Sequence, residues 1–146
     1  MTDDKVILLV DDDPNDVELT LRAFRGHPLG SRVVVARDGG EALDYLHGTG
    51  AYAGRDPRHQ PQVVLLDLNL PGIDGFEVLR RIRSDERFQR LPVVILSSSN
   101  EDSDKLTGYG LGANSYVRKP VDFRQFSDAV SRLGLYWMRI NQPPPR

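Results

Sequence analysis

Lys5-Val6-Ile7-Leu8-Leu9-Val10-Asp11-Asp12-Asp13-Pro14 decides the fold. Val6–Val10 is apolar without alternation, the pattern of a strand covered on both faces inside a parallel sheet. The run stops on three consecutive carboxylates. Asp13-Pro14 then starts a helix, because Asp can cap the free N–H groups and Pro, with no N–H to lose, suits the first helical position. Val17, Leu21 and Phe24 follow at i, i+4 and i+7, one face of that helix. The same unit recurs along the chain. Arg32–Ala36, Val63–Leu66, Pro92–Leu96 and Ser115–Val117 read as further strands. Asp74-Gly75, followed by Leu79 and Ile82, and then Asp102 give weaker signals of helix starts. Repeated β-α units require right-handed crossovers, hence an α/β fold with a parallel sheet between helices.

Composition narrows the function classes. The 146 residues suit one domain with a self-sufficient core, and 39% hydrophobic and 27% charged residues are ordinary for a globular chain. Nineteen basic against 21 acidic residues leave a net charge of −2, which argues against a non-specific grip on nucleic acid or an anionic membrane. With no Cys there is no disulfide scaffold, thiol nucleophile or cysteine zinc site. No apolar run is long enough to span a bilayer or, flanked by Asp as Val6–Val10 is, to serve as a signal segment, so the expected location is the cytoplasm. Composition shifts only at Pro143-Pro144-Pro145, so the expected organisation is one domain over residues 1–140 with a Pro-rich tail over 141–146.

Two stretches break the rhythm. His47–Gln62 holds Gly48, Gly50, Gly54, Pro57 and Pro61 without periodicity and is expected to be a long surface loop, a type often functional or mobile. Lys105–Ala113 has helical length but contains Gly108, Gly110 and Gly112. Each Gly inside a helix costs roughly 1 kcal/mol relative to Ala, so this helix should be marginal and easily moved.

Strand ends gather at the carboxyl edge of an open parallel sheet, where ligands bind. Here those ends carry Asp11, Asp12 and Asp13 after the first strand, Asp67 after the third, Ser97 after the fourth and Lys119 after the fifth. Singly each has a plain explanation: a helix cap, a turn residue, loop chemistry, a solvated lysine. Together at the ends of four of the five strands they form a constellation. Crowded carboxylates resist joint ionisation unless a cation joins them, and Mg²⁺ favours one or two carboxylates with phosphate oxygen and water. A carboxylate can also attack phosphorus, with an ammonium and a hydroxyl steadying the phosphoryl oxygens.

In order and spacing the chain resembles the receiver domain of bacterial response regulators from about Lys5 to Leu135. The matching pieces are Ile7–Asp13, Leu65–Gly75, Pro92–Ser98, Gly112-Ala113 and Tyr116–Pro120. The resemblance implies a flavodoxin-like three-layer sandwich, five parallel strands in the order 2-1-3-4-5 with five helices. It implies that Asp67 is the phosphoacceptor and that Asp12, Asp11 (through water), Asp67 and the Asn69 backbone carbonyl surround Mg²⁺ or Mn²⁺. Ser97 takes the position of the switch hydroxyl, Lys119 that of the phosphate-contacting lysine before a cis Pro120, and Tyr116 that of the aromatic switch. Asp13–Leu19, the long insertion at His47–Gln62 and a final Trp-containing helix followed by prolines resemble the single-domain regulators of phytochrome-type histidine kinases. The implied partner is therefore a sensor histidine kinase, in the nearest case a bacteriophytochrome.

The resemblance implies phosphotransfer from a kinase phosphohistidine to Asp67, slow hydrolysis, and a readout through Ser97, Tyr116 and the glycine-weakened helix. Few residues follow Leu135, so output is expected through protein contact, as an effector or as a shuttle to a second histidine phosphotransfer protein. Phe126, Val130, Leu133, Trp137 and Ile140 form one helical stripe. Its first part is expected on the sheet, and Trp137 and Ile140 beyond it, exposed, where they suggest a homodimer. Two rivals are weaker. Haloacid-dehalogenase-like phosphatases need a second Asp two residues after the nucleophile, where this chain has Asn69; nucleotide binding would need a Gly-rich loop in place of Asp11–Pro14.

Overall fold

The computed structural model describes residues 5–25, 31–119 and 122–145. Five parallel strands, β1 (Lys5–Val10), β2 (Ser31–Ala36), β3 (Val63–Asp67), β4 (Val93–Ser97) and β5 (Ser115–Arg118), lie in the order β2-β1-β3-β4-β5. Five α-helices alternate with them: α1 (Pro14–Arg25), α2 (Gly39–His47), α3 (Gly75–Ser84), α4 (Asp102–Gly110) and α5 (Phe123–Leu135). This is the expected flavodoxin-like architecture.

The sheet is apolar on both faces because helices cover both. Val6, Leu8 and Val10 of β1 pack with Ala42 and Leu46 of α2 and Val78, Leu79 and Ile82 of α3. Ile7 and Leu9, alternate residues of the same strand, pack on the opposite side with Val17 and Phe24 of α1 and Phe126 and Val130 of α5. Burying one such side chain contributes roughly 1.5–3 kcal/mol, so every strand is held from both faces. The chain runs from β1 to β2 on one side and returns to β3 on the other. The first crossovers therefore part between β1 and β3, and a cleft opens above their carboxyl ends.

Local signals behave as the side chains dictate. Asp13 accepts the N–H of Asn15 at 2.9 Å and starts α1, and Asp74 accepts that of Glu77 at 2.9 Å and starts α3. Asp102 is instead the first residue of α4, behind Glu101, whose side chain makes no capping bond. Strands β3, β4 and β5 each extend one residue beyond the apolar run, to Asp67, Ser97 and Arg118. The ladder pairs these residues, Asp67 with Leu96 and Ser97 with Arg118, whatever their polarity.

Two expectations need correction. His47 closes α2 rather than opening the loop, and residues 48–62 form the expected loop around a short 3₁₀ turn at Gly50–Tyr52, tied down over part of its length. Arg55 stacks on the Tyr45 ring at 3.9 Å and donates to the Tyr45 carbonyl at 2.8 Å, while the Tyr52 hydroxyl donates to Glu41 at 2.9 Å. The end of the last helix also changes phase. A π-helical turn, Tyr136–Ile140, follows α5 and adds a residue to the turn, so Met138 is buried at 2% exposure and Trp137 is half-buried against the same core. Ile140 is exposed, as expected. The expected cis peptide involves Pro120, which lies outside the described residues.

Candidate functional site

Each strand delivers its last side chains to one rim. The Asp11 N–H still bonds the Ala36 carbonyl at 3.0 Å, so β1 stays paired with β2 up to the acidic residue. The Asp11 carboxylate turns back to accept the Asp13 N–H at 2.9 Å. Asp67, the last residue of β3, is 7% exposed; Asp12 is exposed. One carboxylate oxygen from each of Asp11, Asp12 and Asp67 lies within 4.8 Å of the others.

Lys119 faces this cluster. Its backbone N–H bonds the Ser97 carbonyl at 2.7 Å, which fixes the chain after β5 against the end of β4. Its ammonium lies 2.8 Å from Asp16, 3.1 Å from Asp11 and 3.5 Å from Asp67. Burial opposes that ammonium charge, but the hydrogen bond to Asp16 and the fields of Asp11, Asp67 and Asp16 prevail and raise its pKa. The buried carboxylates are raised as well, but for them the shift favours the neutral form. Burial pushes Asp67 up to about 6, helped by the negative charge of Asp11 and opposed by Lys119 and the Asn69 N–H. Burial likewise raises Asp11.

One ammonium thus serves three carboxylates, two of them buried. A hard divalent cation with oxygen ligands suits such a donor set, and Asp11, Asp12 and Asp67 fit a divalent metal site.

Ser97, fully buried, receives the Ser99 N–H on its hydroxyl at 3.0 Å. The Ser99 carbonyl accepts the Tyr116 hydroxyl at 3.0 Å, and the Ser99 hydroxyl bonds Asp104 of α4 at 2.6 Å. A short chain of contacts therefore runs from Ser97 to both α4 and β5. A cleft of about 490 Å³ opens beside the carboxylates, lined among others by Asp12, Asn69, Phe76, Ser97 and Asp104.

The seven residues given site roles from the sequence lie on this rim or are linked to it: Asp11, Asp12, Asp67, Asn69, Ser97, Lys119 and, through Ser99, Tyr116. Asp16, Ser99 and Asp104 were not anticipated. Ser99 and Asp104 sit in ordinary loop and helix-start sequence. Asp16 meets a lysine 103 positions away, and no local spacing signals such a pairing.

The chain matches the family model described as the response regulator receiver domain over residues 7–131. It is 40% identical over 141 residues to the probable methanogenesis regulatory protein FilR2 of Methanothrix harundinacea, covering 95% of this chain and 87% of that protein. Rcp1, a response regulator of a Synechocystis strain, is 34% identical over 134 residues, covering 92% of this chain and 89% of Rcp1. The Mn²⁺-bound form of Rcp1 superposes with a TM-score of 0.89 at 32% identity, over 97% of this chain and 99% of that one. The phosphorylated cyanobacterial phytochrome response regulator RcpA superposes with a TM-score of 0.90 at 37% identity, over the same shares.

Proposed function

Because the chain belongs to the response regulator receiver domain family, we propose that it is a two-component signalling switch whose Asp67 accepts a phosphoryl group from a sensor histidine kinase. The observation that carries this reading is the place of Asp67: buried at a strand end, beside Asp11 and 3.5 Å from the Lys119 ammonium. An Asp67 oxygen attacks phosphorus, the N–P bond of the kinase phosphohistidine breaks, and the electron pair returns to the imidazole nitrogen. Lys119 balances charge on the phosphoryl oxygens, and the Ser97 hydroxyl donates to one of them. Asp11, Asp12, Asp67 and the Asn69 carbonyl would hold Mg²⁺ (or Mn²⁺), which when bound neutralises the charge shared by the carboxylates and the transferred group.

Readout follows from the contacts of Ser97. If its hydroxyl turns to the phosphoryl group it leaves the Ser99 N–H, and Ser99 holds Tyr116 and Asp104. The new charge thereby biases α4 and β5 toward a second arrangement. Water returns the acceptor to Asp67. With Asn69 where a phosphatase would need its second carboxyl, the chain promotes only its own phosphorylation and hydrolysis. It is not an enzyme toward another substrate.

The kinase we assign is phytochrome-type, supported by the likeness to RcpA over nearly the whole chain. Signalling would run in the cytoplasm, from a receiver over residues 1–140 with a Pro-rich tail over 141–146. No described helix is long and apolar enough to cross a membrane. Phe123, Leu135, Tyr136 and Ile140 are exposed large apolars on α5 and the turn after it, and they support a homodimer; monomer mass at high protein concentration in the ultracentrifuge counts against it.

Incubation with radiolabelled acetyl phosphate and Mg²⁺ tests the central assignment. Wild type is expected to take up label, and Asp67→Asn none. Label retained by Asp67→Asn overturns it.

A further inference from the structure

We infer that Asp16 is a positioning residue for phosphotransfer, anchoring the Lys119 ammonium from the first turn of α1. The inference rests on the reading of Asp67 as acceptor. An ammonium on a four-carbon stem has many rotamers and three N–H donors. Here one donor is taken by Asp16 at 2.8 Å and one by Asp11 at 3.1 Å, and Asp67 lies 3.5 Å away. Asp16 is the nearest of the three.

Asp16 also stands outside the acidic cluster that fits a cation, which consists of Asp11, Asp12 and Asp67. A cation drawn to that cluster competes with Lys119 for Asp11 and Asp67 but leaves Asp16 alone. Asp16 is then the carboxylate that keeps Lys119 from swinging into solvent. The anchor is itself fixed. The Asp16 N–H reaches the Asp13 carboxylate at 3.4 Å, its carbonyl accepts the Thr20 hydroxyl at 2.8 Å, and its side chain is about three-quarters covered, at 27% exposure. Because the ammonium stays within reach of Asp67 while bound to Asp16, the contact steers Lys119 toward the acceptor.

A purely structural ion pair would stabilise the join between α1 and the end of β5 without touching the rate, and kinetics separate the two. Labelling by acetyl phosphate at saturating Mg²⁺ is compared for wild type, Asp16→Asn, Asp16→Glu, Lys119→Gln and the double variant Asp16→Asn/Lys119→Gln, with melting temperatures alongside. Loss of one charge-assisted hydrogen bond should slow Asp16→Asn about tenfold. Asp16→Glu should recover most of the rate, and in the Lys119→Gln background Asp16→Asn should cost nothing further, since the two residues act as one unit. An unchanged rate in Asp16→Asn, a slowdown that persists undiminished without Lys119, or rates that merely follow the melting temperatures would overturn the inference. Asp67→Asn run in parallel keeps the two readings apart: label on that variant removes the acceptor assignment and this inference with it. Label lost from Asp67→Asn with Asp16→Asn at the wild-type rate removes the inference alone.

Discussion

Replacing Asp67 by Asn removes a charge while nearly preserving the shape of the side chain, and in the metal-free protein it should stabilise the fold. In the folded chain burial, aided by Asp11, pushes the Asp67 carboxyl up to about 6 from its ordinary 3.8. That gap corresponds to about 3 kcal/mol, and water on the open side of the cleft reduces it to about 2 kcal/mol. The sign follows from proton counts. Between about pH 4 and 6 the folded state holds the proton more tightly than the unfolded one, so stability falls as pH rises through that window. Above about pH 6 the whole penalty is present, and Asn does not carry it.

In EDTA at about pH 7.5, Asp67→Asn should therefore melt roughly 5–10 °C above wild type, a difference that fades toward about pH 4. Saturating Mg²⁺ should reverse the order. At about a hundred times its dissociation constant a ligand adds about 2.7 kcal/mol to the chain that binds it, and Asn supplies a poorer ligand. Thermal melts in EDTA and in Mg²⁺, at both pH values, are sufficient. If Asp67→Asn in EDTA at neutral pH is no more stable than wild type, the cluster is not under electrostatic stress and the reasoning fails.

Gly75→Ala should unfold at lower urea, by roughly 1–3 kcal/mol, because the new methyl would sit 2.7 Å from the Leu68 Cα and against the Asp67 carbonyl. An unchanged midpoint would mean that α3 can retreat from the acceptor strand at no cost. Met138→Ala should lose about 2–3 kcal/mol in the same assay and Ile140→Ala less than about 0.5 kcal/mol, the order that the π-helical turn dictates. The reverse order would restore an uninterrupted α-helical phase.

Elements whose cause is local were legible in the sequence. The apolar runs of β1, β3 and β4 could not be exposed, and Asp13-Pro14 and, less strongly, Asp74-Gly75 signal helix starts. Strand ends were misjudged by one residue at Asp67 and Ser97 because the ladder follows backbone pairing while apolarity marks only the buried part. What escaped depends on distant partners. Residues 48–62 carry no period, yet Arg55 finds the Tyr45 ring on α2. The turn after α5 shifts phase where Met138 meets the core and its carbonyl accepts the Lys5 ammonium at 3.3 Å, across 133 positions. The rim residues were readable as a set because strand ends must converge, whereas Asp16 lies on a helix and joins them only through Lys119.

Strand β5 closes the sheet on one side, and the Tyr109 hydroxyl of α4 accepts its Tyr116 N–H at 3.2 Å. An uncovered N–H on an edge strand is a template on which a foreign strand can extend the sheet. The Tyr109 hydroxyl occupies one such donor. It sits on a helix whose Gly108 rests on Ile95, where an added methyl would meet the end of the Ile95 side chain at 2.7 Å. A displacement of α4 would free that N–H and so couple the position of this helix to the exposure of the sheet edge.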